Sequence, residues 1–150
     1  MFEPAEIGAK LSPKAFDKLK GALRLDLIDL QQRIREAGFP VILLIAGVPG
    51  AGLVDTLNLL NTWMDPRWIA TTVFDTPTDD ERERPLFWRY WRSLPKAGTV
   101  GLYLSGWYED PIRDRAERRV SAADYAVQLQ RIARFERTLS DDGEIGRAHV

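Results

Sequence analysis

Residues Gly47-Val48-Pro49-Gly50-Ala51-Gly52-Leu53-Val54 have the position and glycine spacing of a phosphate-binding loop. Such a loop works because glycines let successive backbone N–H groups point at an anion. A lysine then neutralises the phosphates, and a Ser or Thr hydroxyl holds the magnesium. Here the lysine position is Leu53 and the hydroxyl position is Val54. Gly47, Gly50, Ala51 and Gly52 remain as backbone donors to a phosphate, and no catalytic side chain or metal ligand of the loop is intact. A glycine turn kept only for tight strand-to-helix packing has the same residues, so the loop alone leaves both readings open.

The elements around the loop are those a phosphate loop needs. Pro40 precedes the apolar run 41–46, short enough for a strand buried on both faces. Leu57, Leu60 and Met64 follow at helical spacing. Upstream, Ser12-Pro13 starts a helix whose stripe Leu19, Leu23, Leu27, Leu30 and Ile34 ends at Gly38 and is expected to pack on the sheet. Asp65-Pro66 closes the loop helix, and 69–74 reads as a second strand. Thr78 and Glu81 form a capping box, with Pro85 dividing a short turn from a longer aromatic helix. After the turn 95–98, 99–104 is a third strand whose carboxyl end is expected beside the loop, where parallel α/β sheets place ligands. A last helix opens at Ser121, with Asp124 three residues on, and carries Leu129, Ile132, Ala133, Glu136 and Leu139. Helices separating apolar strands predict a three-layer α/β domain.

Residues 105–110 are therefore the second place to look for chemistry, and Glu109 and Asp110 are the acids there that could bind magnesium. Beyond them, Arg113, Arg115, Arg118 and Arg119 could form a basic lid or contact a polyanion. Alternation with Asp114 and Glu117 favours a solvated helix face instead. Arg89 and Arg92 admit the same two readings. No lysine or arginine occurs between Arg35 and Arg67, the interval that contains the whole loop.

The 150 residues suit one ordinary domain, and 45% hydrophobic residues with five tryptophans supply a core in which aromatics are expected to be buried rather than exposed for stacking. A net charge of −1 provides no global field for nucleic acid or an anionic membrane. With no cysteine, disulfides and thiolate metal sites are excluded. The amino terminus lacks a secretion signal and no apolar run reaches membrane-spanning length, so a cytoplasmic location is expected. Residues 144–150 are the translation of GAGATCGGAAGAGCACACGTC, which apart from its first base matches a common short-read sequencing adapter. This tail is expected to be an artefact that leaves the fold into solvent, with the natural chain continuing beyond about Gly143. The only histidine, His149, lies in it and is assigned no role.

With these residues in place, 20–143 resembles the polyphosphate kinase type 2 family. The resemblance rests on the leucine-rich helix, the strand VILLIAG, the loop, the segment RPLFWRYWRSLPKAGTVGLYLSGWYED and Arg134-Phe135-Glu136. It implies a P-loop kinase fold and a magnesium-dependent transfer between polyphosphate and nucleotides. The departures fall on the chemical positions. Against a family loop of roughly GxDxAGKG, this chain has Pro49 for the acid, Leu53 for the lysine and Val54 for the last glycine. The family's Asp or Asn, Arg and Ser before the Trp-Tyr pair correspond to Leu104, Ser105 and Gly106. Charge neutralisation and metal ligation are lost together.

The resemblance further implies the decayed first half of a two-domain member that transfers phosphate from polyphosphate to AMP. In that assignment 1–39 is a helical segment packing on the sheet, and 40–143 is a degenerate kinase-like domain truncated at its C-terminal side. The partner is an intramolecular active kinase domain or a second copy, and magnesium belongs to the parent enzyme. Two alternatives are a free-standing interaction module and an active kinase with displaced residues.

Overall fold

The computed structural model describes residues 11–47, 50, 52–141 and, as backbone, 146–148. Helix α1 (Pro13–Ala37) opens where the Ser12 side chain accepts from the Ala15 N–H at 3.2 Å. It closes at Gly38, whose φ of 72° lets its N–H donate back to the Ile34 carbonyl. Then come β1 (Val41–Ile45), α2 (Leu53–Trp63), a 3-10 turn (Pro66–Trp68) and β2 (Ile69–Val73). The chain continues through α3 (Asp79–Arg82), α4 (Trp88–Trp91), β3 (Val100–Leu104), α5 (Glu109–Ala116), α6 (Ala122–Asp141) and β4 (Gly146–Ala148). The Thr78–Glu81 capping box is formed, and Ser121 caps α6 through the Asp124 N–H.

The strands form a parallel sheet of order β2-β3-β1-β4. Alternation along the strands divides the core in two. Ile42 and Tyr103 join Tyr90, Trp107, Ile132, Phe135 and Leu139 on the α4–α6 side. Val100 and Leu102 join Ile34, Leu57 and Met64 on the α1–α2 side. The three-layer α/β architecture expected from the sequence is present. On the α1 side, buried Gln31 is satisfied by main chain 34 residues away: its amide donates to the Asp65 carbonyl at 2.9 Å and accepts from the Asp65 N–H at 2.8 Å.

Four expectations need correction. Helix α1 packs through Leu27, Gln31 and Ile34, whereas Leu19, Leu23 and Leu30 remain exposed. At 1.5 Å per residue this helix is roughly 37 Å long, and five-residue strands span roughly 17 Å, so it overhangs the sheet. The segment after Pro85 is not a long helix but the four-residue α4, because Leu94-Pro95 disfavours helical backbone before the turn. On α6 the buried residues are Ile132, Phe135, Glu136 and Leu139, so Phe135 joins the residues read from the sequence and Ala133 is exposed. Finally, residues 146–148 do not leave the fold: they pair in parallel with β1, Val41 opposite Gly146 and Leu43 opposite Ala148. A free strand edge offers main-chain groups that any extended segment can meet, whatever its side chains. His149 lies outside the described residues.

Candidate functional site

The sheet order places a topological switch between β1 and β3, whose following connections run to opposite sides. Both carboxyl ends therefore open on one edge, where the Ser105 N–H donates to the Ile45 carbonyl at 3.0 Å and the Phe74 N–H to the Leu104 carbonyl at 3.0 Å. The candidate loop leaves β1 here. Val48, Pro49 and Ala51 lie outside the described residues; Gly47 is exposed, and Gly50 and Gly52 have φ of 87° and 78°. Nothing lies within 4 Å of a Cβ built at either of these two glycines, so backbone conformation rather than crowding explains them.

Gly52 caps α2 without a side-chain bond, leaving the first amides of the helix to solvent or an anion. A recess of about 320 Å³ fronts them, lined by Gly50, Gly52, Leu53, Val54 and Asp55. Its walls are thus hydrocarbon at 53 and 54 and a carboxylate at 55. Asp55 stands in the first turn, where it complements the helix dipole and opposes an incoming phosphate. This acid was not among the residues expected at the site, although its place one residue after Val54 was the available signal.

A second cleft of about 270 Å³ lies at the carboxyl ends of β2 and β3 and includes Asp75, Arg89, Ser105, Glu109, Asp110 and Arg113 in its lining. Arg89 donates to the Asp75 carbonyl at 2.8 Å and pairs with Glu81 at 3.7 Å, so it serves the wall of the cleft rather than an open face. Arg92 lies over the Trp88 ring at 4.8 Å. Tyr90, also in the lining, has its hydroxyl pushed up to about 12 by burial and stays neutral at physiological pH. Asp75 and Arg89 were not assigned to a site from sequence; attention to the end of β2, as well as of β1 and β3, would have found them.

Of the four α5-region arginines, Arg113 lines this cleft and Arg115, Arg118 and Arg119 do not. Arg113 pairs with Glu109 at 3.7 Å and makes a close contact with Asp110. Arg119 pairs with Asp114 at 3.5 Å and Glu117 at 2.5 Å, and Arg115 bonds the Val120 carbonyl at 3.5 Å. Arg118 is exposed with φ 57°. Of the acids in this cleft, Glu109 and Asp110 thus both face one guanidinium, while Asp75 accepts from the Thr76 N–H at 2.7 Å. Among the described residues no three His, Cys, Asp or Glu side chains converge as a metal site.

The end of β3 is held rigidly. Trp107 Nε1 donates to buried Glu136 at 3.1 Å, and the Tyr108 hydroxyl donates to the same carboxylate at 2.8 Å. A Cβ at Gly106 would meet Leu44 Cδ2 at 2.8 Å. Ser105 sits between these constraints at φ 56°. Left-handed backbone costs a β-branched residue about 1–2 kcal/mol, so Ser105→Val is expected to lose that much in urea unfolding while Ser105→Gly stays within about 1 kcal/mol of the parent.

With the geometry in place, comparison with known proteins is decisive. The model of the polyphosphate kinase 2 (PPK2) family matches residues 10–147. The chain belongs to the polyphosphate kinase 2 family. A polyphosphate:AMP phosphotransferase of Pseudomonas aeruginosa is 40% identical over 146 residues, covering 97% of this chain and 29% of that protein. One of Pseudomonas syringae pv. tomato is 36% identical over the same shares. A crystal structure described as a polyphosphate kinase 2 of Pseudomonas aeruginosa superposes with a TM-score of 0.85 at 39% identity, covering 99% of this chain and 33% of that one. One from Arthrobacter aurescens gives 0.79 at 26%, covering 93% and 51%. The chain thus spans less than a third of the length of these two phosphotransferases. This polyphosphate kinase 2 chain shares the fold of the solved polyphosphate kinase 2 structures.

Proposed function

We propose that this chain is the non-catalytic kinase-like half of a polyphosphate:AMP phosphotransferase, a cytoplasmic protein whose other half transfers phosphate from polyphosphate to AMP with magnesium. The observation that supports it is the chemistry of the α2 terminus: Leu53, Val54 and Asp55 stand where phosphoryl transfer requires positive charge and a metal-holding hydroxyl. Magnesium takes oxygen ligands in near-octahedral geometry. Leu53, Val54 and Leu104 offer none, and Glu109 and Asp110 are engaged by Arg113. The donor set does not fit a resident magnesium ion. The second cleft is no better for a polyanion, since Asp75, Glu109 and Asp110 outnumber Arg89 and Arg113 in its lining. Gly47, Gly50 and Gly52 then serve as a backbone turn, and the arginines 113, 115, 118 and 119 as a solvated face, with Arg113 and Arg119 paired to acids, rather than a lid.

A second reading, an interaction module, is favoured by one observation, the exposed apolar residues of α1. No helix among the described residues is long and apolar enough to cross a membrane. The test of the leading reading is a transfer assay with polyphosphate, magnesium and AMP or ADP. The chain is expected to form no product above a no-protein control, and Leu53→Lys alone is expected to restore none, because the strand-end acid is still absent. Magnesium-dependent product that falls on changing Glu109→Gln or Asp110→Asn would contradict it.

A further inference from the structure

We draw no further inference here: the strongest candidate, the recess between α4, α5 and α6 lined by Phe87, Tyr90, Trp107, Gln128 and Arg131, carries nothing, because the two buried polar atoms beside it that lack a hydrogen-bond partner among the described residues, Arg89 Nε and Gln128 Oε1, are sealed from any molecule the recess could hold.

Discussion

Phe135→Ala is expected to destabilise the chain by about 3–5 kcal/mol, a large part of the roughly 5–15 kcal/mol that holds an ordinary domain together. Phe135 projects from α6 into the sheet, stacks on Phe87 at 4.4 Å and meets Trp107 and Trp91 edge-on at 5.1 and 5.3 Å. Truncation therefore removes the ring at which α4, α6 and the end of β3 meet. Urea unfolding monitored by circular dichroism should show a midpoint well below that of the parent chain. Exposed Val127 on the same helix provides the comparison, with Val127→Ala shifting stability by about 0.5 kcal/mol or less.

Glu136→Leu is expected to cost about 2–4 kcal/mol, from hydrogen bonding rather than volume. The carboxylate accepts from Trp107 Nε1 and from the Tyr108 hydroxyl, so an isobutyl group leaves these donors facing hydrocarbon. Glu136→Gln keeps an acceptor oxygen and should recover most of the loss. Equal losses for the two variants would show that the pair of bonds contributes little and that shape alone matters. In a chain whose other four tryptophans are changed to Phe, Trp107 emission gives a local readout, because loss of the indole bond should alter it more in the Leu variant than in the Gln variant.

Local signals carried most of the fold. Ser12-Pro13, Gly38, the Thr78–Glu81 box and Ser121 with Asp124 each act over a few residues, and each marks an observed helix boundary. The runs that became β1, β2 and β3 are short, apolar and bounded by turn residues, so they were legible too. What escaped depends on distant partners. Nothing near Gln31 announces that Asp65 will satisfy it, and the choice of Phe135 over Ala133 is settled by the aromatic ring waiting at Phe87. The overhang of α1 follows from comparing its length with strands to which it is not adjacent in sequence. Residues 146–148 joined the sheet through main-chain groups that no side-chain pattern reports. At the candidate site, the loop position and the strand-end turn were readable from spacing. Asp55 and the Asp75–Arg89 wall were not, because they lie outside the loop and strand-end spacing and carry no motif of their own.

The deciding property is whether the α2 terminus still captures phosphate. Its most direct test is isothermal titration of short-chain polyphosphate into the chain, with and without magnesium. The expected result is no saturable heat up to about 1 mM ligand, the regime in which binding free energy falls below about 4 kcal/mol. Saturable, magnesium-dependent binding tighter than that, abolished by Gly52→Val with the fold intact, would contradict it and return Gly47, Gly50, Ala51 and Gly52 to the role of a working phosphate cradle.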